Sequence, residues 1–471
     1  MHKRCCDDFT RSELLRKGTG GLQPSSREWD PRMPLPAGHG IDRRRFLLGS
    51  AKAAGALMTV YGAGRLGLGS GALSEGVAQA AAVQGPNSPV LVSVFIPGGL
   101  DALSFLAPVA DPVYRKLRPT LALGENEGTP LVEDSRVHWH PTAQPFADLH
   151  AQGKVTVFPG VGYTHPDMSH FTSRHYWEVG ALETRTQTGW MGRYLDLAGT
   201  SSNPLQGLSL DGQMNPTIAT ARNPVAAIDL PEDFSLWLPG AWGEVSDLAV
   251  SAMSSLGQTL TGSSDPALSQ VGSIAAEIGT IQGQLAQFHD ANGKPTYTPP
   301  VSYPKGTQNS NFPQLLAGCA AMLAAGLPLK CVAITVPGDF DTHSAQAKAF
   351  DSGLAMAAQS LAAFQADLEA RGIADRVLVH VWTEFGRRVQ ENGSKGTDHG
   401  AGGAGLLIGT RAAGGVVGEW PGLGRLDANG NMLFNVDFRS VYSSLLEQWF
   451  SHDAASVIPG AGQLPRYQLV R

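Results

Sequence analysis

Five short runs of apolar and β-branched residues, separated by segments with helical periodicity, constrain the fold of this chain most. The runs lie within residues 88–105, 154–162, 329–338, 375–386 and 403–409. The first run is almost continuously apolar, which is typical of a strand buried on both faces of a parallel sheet. Helical patterns fall between several runs, most clearly at residues 312–327 and 344–372. This alternation predicts an α/β fold with a mostly parallel central sheet flanked by helices on both faces.

Residues 205–312 interrupt this alternation. Short strand-like stretches are followed by a helical pattern at residues 267–291 and a Pro-rich stretch at residues 292–311. We interpret residues 205–312 as an insertion or cap on one domain that spans residues 86–471, and not as an independent domain.

The first 80 residues have the pattern of an export signal. Arg43 and Arg44 precede an apolar stretch rich in Ala and Gly, and Ala78 and Ala80 offer a small-residue cleavage site. The paired arginines resemble a twin-arginine signal, so the twin-arginine translocation machinery is the expected partner during export. The alternative is a membrane anchor that stays attached. Cleavage would leave no stable membrane span and a periplasmic or otherwise extracytoplasmic protein.

The net charge bears on the class of binding partner, and the cysteine content bears on possible disulfides. Residues 1–80 hold 12 of the 35 Lys and Arg and 7 of the 41 Asp and Glu, so the rest of the chain has a net charge of −11. An acidic chain of this kind argues against nucleic acid as a partner. Beyond the predicted signal the sequence keeps Cys319 and Cys331, which either form one disulfide or remain two buried thiols.

Two candidate functional residues follow the first two predicted strands. Asp101 comes after the pair Gly98 and Gly99, and Ser169 precedes a helical pattern at residues 169–182. A hydroxyl at a helix N-terminus lies in a positive field, which favours an oxyanion and assists a nucleophile. The alternative for both residues is a helix N-cap.

Carboxylates and imidazoles follow the later strands. Asp339 and Asp341 lie four and two residues before His343, and carboxylate and imidazole at such spacing can share one divalent ion. The later stretches that contain Glu384 and His399 also carry metal-ligand residue types. The alternative is solvated loop residues. Asp398 is a weaker candidate than its neighbour, and for the other histidines of these segments we expect surface or packing roles: His138, His140, His165, His170 and His175.

These stretches, taken in order, carry a resemblance to a known family. The segments are "VSVFIPGGLDALSFLAPVADPVY", "HPTAQPFADLHAQGKVTVFPGVGY", "SHFTSRHYWEVG", "GDFDTHSAQ", "TEFGRRVQENGSKGTDHGAGG" and "DFRSVYSSLLEQWF". Over about residues 86–455 the chain resembles the DUF1501 family of exported bacterial proteins, which is assigned to the alkaline phosphatase/sulfatase-like superfamily. The resemblance implies an alkaline phosphatase-like sheet and one or two divalent metal ions, with Zn, Mn, Ca and Mg not distinguished.

The resemblance also implies roles for particular residues. It places one ion on Asp101 and Glu384, a second ion on Asp341, His343 and His399, a nucleophile at Ser169, and an ester-oxygen contact at Arg174, for which an outward-facing side chain is the alternative. Phe385 departs from the pattern of related superfamily members, because it stands where they have a histidine and cannot bind metal.

The implied function is an exported metal-dependent hydrolase of a phosphate or sulfate ester, with a small-molecule or polymer substrate. The alternative is a non-catalytic binding or assembly protein on a degenerate scaffold, which the phenylalanine favours.

Overall fold

A computed structural model describes residues 88–234, 244–290, 292–306 and 310–471. The predicted export signal in residues 1–80 therefore lies outside the described residues. Within the described ranges, no helix combines the length and the apolar character that crossing a membrane requires.

The chain is built around one mixed, mostly parallel sheet. The strands are β1 (Val90–Phe95), β2 (Leu106–Ala107), β3 (Thr129–Pro130), β4 (His138–Trp139), β5 (Val155–Gly162), β6 (Gly207–Ser209), β7 (Ala226–Ala227), β8 (Cys331–Thr335), β9 (Val377–Trp382), β10 (Gly386–Glu391), β11 (Thr397–Gly400), β12 (Gly403–Ile408), β13 (Gly415–Val416) and β14 (Val436–Asp437). The sheet order is β13-β5-β12-β9-β1-β8-β6-β7, with β14 also paired to β5. Strand β12 is antiparallel to β5 and β9, whereas the other pairs in this sheet are parallel.

Helices cover both faces of this sheet. They are α1 (Ala102–Phe105), α2 (Pro112–Leu117), α3 (Gln144–Ala151), α4 (His170–Val179), α5 (Trp190–Ala198), α6 (Glu244–Leu260), α7 (Pro266–Leu285), α8 (Phe312–Ala324), α9 (Gln346–Ala370) and α10 (Phe438–Gln448). Alternate side chains of β1 point to opposite faces: Val92 and Val94 enter the core with α8 and α9, while Leu91 and Phe95 enter the core with α4 and α10. The predicted α/β fold is confirmed.

One part of residues 205–312 belongs to the central sheet, and another part lies outside it. Strands β6 and β7 extend the central sheet beyond β8. Helices α6 and α7 then form a tightly packed hairpin, because a Cβ atom on Gly257 would lie 2.4 Å from the Ala276 nitrogen. The interpretation of residues 205–312 as an insertion therefore suits the hairpin but not the two strands that precede it.

The two cysteines of the folded part are both free and buried. Cys319 lies in the core on one face of the sheet and Cys331 in the core on the other. Of the two arrangements that the sequence left open, the structure has the two free thiols. Burial raises the pKa of Cys319 to about 12 and that of Cys331 further, which makes both thiols poor nucleophiles.

Candidate metal centre

The hairpin of β10 and β11 carries His399 of the centre and holds the loop that carries Asp341 and His343. Arg387 and His399 are paired across the hairpin. The hairpin turn lies against residues 341–346, where Thr397 N donates to Thr342 O at 3.0 Å and Ala345 N donates to Ser394 O at 2.9 Å. These backbone bonds fix the loop after β8 against the turn between β10 and β11, although the two are distant in sequence.

Three imidazoles surround the carboxylate of Asp341. The Nε2 atoms of His343 and His399 lie 3.0 and 3.1 Å from Asp341 Oδ1, and His170 Nε2 lies 3.3 Å from Asp341 Oδ2. The Nε2 atoms of His343 and His399 are 3.0 Å apart. One potential ligand atom from each of His170, Asp341 and His399 can be chosen so that the three atoms lie within 4.8 Å of one another. The structure thus brings together Asp341, His343 and His399 as the sequence analysis expected.

His170 is the member of this group that the sequence analysis missed. We expected a surface or packing role, because its spacing to neighbouring histidines keeps no helical face. Its ring does pack, with centroids 4.8 Å from Phe385 and 4.4 Å from His399. The available signal was its position immediately after Ser169, at the first residue of α4.

Charged neighbours set the electrostatics of the cluster. Burial would raise the pKa of Asp341, but hydrogen bonds from the three imidazoles and the charge of Arg387 hold it far below its usual range. Arg387 Nη2 lies 2.5 Å from Asp341 Oδ1. Burial opposes protonation of His170, but Asp341 and Glu384 outweigh it and raise its pKa to about 9. A metal ion must therefore displace a proton from this ring.

Asp101 does not join this group, contrary to the role that the resemblance implied. Its carboxylate is 1% exposed and bonds to Arg118 through both oxygens, at 2.5 and 2.9 Å. Gln346 Nε2 donates to the same carboxylate at 2.6 Å, and Leu103 N donates to Asp101 Oδ1 at 3.2 Å. A guanidinium therefore compensates the charge of Asp101, and the residue is also the N-cap of α1.

Glu384 is likewise held by protein groups and not presented as a direct ligand. Its oxygens accept hydrogen bonds from Gly98 N at 2.9 Å and Gly99 N at 3.1 Å, two glycines with positive φ. The ring of His170 lies with Nδ1 2.7 Å from Glu384 Oε1. Since this bond uses Nδ1, it directs Nε2 of His170 towards Asp341. A carboxylate behind a ligating imidazole is a common arrangement at metal sites.

The remaining candidates are Ser169, Arg174 and Asp398. Ser169 is the N-cap of α4, where its Oγ accepts from Phe171 N at 3.3 Å. Arg174, one turn further on, donates from Nε to Glu178 at 2.8 Å and lies 4.4 Å from the centroid of the Phe95 ring. Asp398, the weaker candidate of the sequence analysis, has Oδ1 3.2 Å from His343 Nδ1. Asp398 contacts the cluster through His343 and Ser169 adjoins it through His170, whereas the contacts of Arg174 are with Glu178 and Phe95.

The donor set fits a divalent metal ion. Imidazole nitrogens and a carboxylate are the ligands of zinc and related ions. His170 Nε2 is buried, and its neighbour Asp341 Oδ2 lies 3.3 Å away in an orientation that is poor for a hydrogen bond. A cation shared with Asp341 would satisfy this buried nitrogen better than the present contact does.

Comparisons with solved structures give distant likenesses. They include a sulfatase from Pseudoalteromonas sp. (12% identity, 84% of this chain and 73% of that chain, TM-score 0.32). A lipoteichoic acid synthase from Listeria monocytogenes has 9% identity over 79% of this chain and 78% of that chain, with a TM-score of 0.32. A protein of the alkaline phosphatase superfamily from Vibrio parahaemolyticus has 12% identity over 85% and 80%, with a TM-score of 0.33.

Among curated proteins, no match was found. A family model does match the part of the chain that carries β8 to α10, and with it three of the four groups of the cluster. Residues 318–459 match DUF1501, which is described as a protein of unknown function.

Proposed function

We propose that this chain is an exported, metal-dependent hydrolase of a phosphate or sulfate ester. The observation that carries the proposal is the convergence of three imidazoles on one carboxylate beside a helix-opening hydroxyl. A divalent cation bound by Asp341, His170, His343 and His399 would stabilise negative charge on the ester and lower the pKa of a coordinated hydroxyl.

Ser169 is the proposed nucleophile. Its hydroxyl lies at the N-terminus of α4, where the helix dipole favours negative charge. It also sits between two residues that contact the cluster, since Met168 O lies 2.8 Å from His399 Nδ1 and His170 is itself a member. In this proposal the two neighbours place the Ser169 hydroxyl within reach of an ester bound at the centre.

Arg174 is the proposed contact for the anionic part of the ester. Its stacking on Phe95 and its bond to Glu178 hold the guanidinium at the carboxyl end of β1. These contacts use Nε and one face of the group, and the terminal nitrogens make no hydrogen bond to the described part of the chain. A guanidinium with free terminal nitrogens suits the oxygens of a phosphate or sulfate.

The test combines turnover with metal content. The purified mature chain, loaded with one divalent ion, is expected to hydrolyse at least one of a panel of aryl phosphates, phosphodiesters and aryl sulfates. Ser169→Ala should lose at least about a thousandfold in rate while keeping its metal. Ser169→Asn, which retains an N-cap acceptor, should lose as much, because capping is not the role that matters. Metal-loaded protein without activity on any of these esters would contradict the proposal.

A non-catalytic binding or assembly protein is the second candidate. The observation that favours it is that Asp101 and Glu384, the residues implied for one of two ions, are already occupied by Arg118, His170 and backbone amides. This candidate expects at most one ion per chain and an unchanged phenotype when Ser169 is replaced.

Export is part of the proposal and rests on residues 42–60, outside the described part of the chain. Replacing Arg43 and Arg44 by lysine should leave the chain in the cytoplasm in a fractionation experiment. Secretion of that double variant at the normal level would exclude the twin-arginine route.

A further inference from the structure

We infer that the centre is a single-ion site that selects zinc or a zinc-like transition metal over magnesium and calcium. This inference rests on the proposed metal dependence but goes beyond it, because a hydrolase of this kind can use any of the four ions that the resemblance left open. It depends on which nitrogen of each imidazole faces the centre.

Each of the three rings has an acceptor behind its Nδ1 atom. Glu384 Oε1 lies 2.7 Å from Nδ1 of His170, Asp398 Oδ1 lies 3.2 Å from Nδ1 of His343, and a backbone carbonyl lies 2.8 Å from Nδ1 of His399. Carboxylates and carbonyls only accept, so each Nδ1 must donate a proton. In the neutral ring the Nε2 lone pair then points at the centre.

Three of the inward-facing atoms have the spacing of neighbouring ligands around one zinc ion. Tetrahedral bonds of ~2.0–2.1 Å place neighbouring ligand atoms about 3.3 Å apart. The distances among Nε2 of His343, Nε2 of His399 and Oδ1 of Asp341 are 3.0 to 3.1 Å. His170 Nε2 lies 3.3 Å from Oδ2, the other oxygen of the carboxylate, and the 4.8 Å group that it forms with Asp341 and His399 does not include His343. Two lone pairs at 3.0 Å repel each other unless a cation or a proton lies between them.

Hard cations fit this donor set poorly. Calcium takes six to eight oxygen ligands and magnesium an octahedron of oxygens. The centre offers the two oxygens of Asp341, and Arg387 Nη2 already bonds to one of them at 2.5 Å. Three imidazole nitrogens favour zinc, cobalt or another transition metal of similar preference.

The experiment measures metal affinity and does not require activity. The mature chain is stripped with a chelator and titrated with Zn²⁺ or Co²⁺ against a chromophoric competitor, and with Mg²⁺ and Ca²⁺ by calorimetry. We expect one equivalent of Zn²⁺ or Co²⁺, bound at least about a thousandfold more tightly than Mg²⁺ or Ca²⁺. The cobalt form should show the intense visible absorption of a four-coordinate ion.

Variants of the carboxylates that accept from Nδ1 of the rings test whether these acceptors contribute to zinc affinity. Asp398→Ala should weaken zinc binding about 10- to 100-fold, and Asp398→Asn, which keeps an acceptor, should lose less. Glu384→Gln changes the acceptor of His170 Nδ1 and should also weaken zinc binding. The matched control is Glu391→Ala in the same hairpin, whose carboxylate bonds to Thr120 and Leu121, and which should bind zinc normally.

The results test the selectivity for zinc separately from the proposed metal-dependent hydrolase. Calcium or magnesium binding as tight as zinc binding, or unchanged zinc affinity in both Asp398→Ala and Glu384→Gln, overturns the selectivity but leaves a metal-dependent hydrolase intact. No binding of any ion overturns both, and would mean that a proton is shared between His343 and His399.

Discussion

At the scale of single residues, the centre depends on a position that has no side chain. Gly396 lies in the hairpin turn, and a Cβ atom there would come 2.4 Å from both the carbonyl carbon of His343 and Thr342 O. Both contacts are with backbone, which cannot move aside without shifting the loop that carries His343. The close approach of turn and loop therefore requires glycine.

We expect Gly396→Ala to weaken zinc binding by at least about tenfold, because a misplacement of one ligand by a fraction of an ångström is costly in a preorganised site. The matched control is Gly393→Ala in the same turn, where a Cβ would meet nothing within 4 Å. Zinc titration of both stripped variants is the measurement. Equal affinities would show that the turn does not position His343.

Single residues also show where sequence reasoning succeeded and failed. Asp341, His343 and His399 were identifiable, because carboxylate and imidazole stood together after predicted strands. The roles of Asp101 and Glu384 were not, because their partners Arg118 and Gly98 are 17 and 286 residues away. Local spacing shows which residues are capable of binding metal. It does not show whether the charge of such a residue is already compensated by a partner that is distant in sequence.

At the scale of elements, a buried ion pair joins the start of the chain to the site. Arg118 follows α2 and is fully buried, where it bonds to Asp101 and to the carbonyls of Arg388 and Val389 in β10. Burial would raise the pKa of Asp101, and Arg118 lowers it below its usual value. Removing one partner would leave the other charge buried and uncompensated.

We expect Arg118→Met to lower the free energy of unfolding by about 3–5 kcal/mol. The double variant Arg118→Met with Asp101→Asn should recover part of that loss, since no buried charge then remains. Denaturant unfolding of the single and double variants measures both values. If the double variant were as unstable as the sum of the two single variants, charge compensation would not be the main contribution of the pair.

The hairpin of α6 and α7 is an element whose stability should depend on pH. Burial raises the pKa of Glu277 in α7 to about 7. In the unfolded chain the group titrates near 4.5, so between these values the unfolded state loses its proton first. Stability is therefore fully present below about pH 4.5, falls as the pH rises towards 7, and stays at its reduced value above.

We expect Glu277→Gln to stabilise the hairpin at pH 8 and to have little effect at pH 4.5, because the neutral amide avoids burying a charge. Hydrogen exchange of α6 and α7 at the two pH values measures this local stability. If Glu277→Gln changed the protection of the hairpin by the same amount relative to the unmutated chain at both pH values, Glu277 would be excluded as the titrating group.

Elements were easier to predict than their connections. The five apolar runs correspond to β1, β5, β8, β9 and β12, because a strand buried on both faces needs continuous apolar sequence. The short strands β6 and β7 gave no such signal, and they were assigned to the insertion. Three and two residues long, they are held by pairing with β8 and not by their own composition.

At the scale of the whole molecule, the centre joins segments that are far apart in sequence. The side chains proposed to bind the ion come from the start of α4, the loop after β8 and the strand β11, at residues 170, 341, 343 and 399. A site assembled from such distant segments does not exist in the unfolded chain. An ion bound there stabilises the folded state by the full free energy of its binding.

Zinc should therefore raise the stability of the entire domain and not only that of the neighbouring loops. With free zinc at 100 times its dissociation constant we expect about 2.7 kcal/mol of added stability, and a chelator should remove it. Thermal unfolding with and without zinc measures the effect. His399→Ala should unfold at the same temperature in both conditions, whereas His452→Ala should keep the normal shift, because His452 lies in the segment after α10 with its Nε2 3.1 Å from Ser456 Oγ. A zinc-induced shift that persists in His399→Ala would place the stabilising ion elsewhere on the chain.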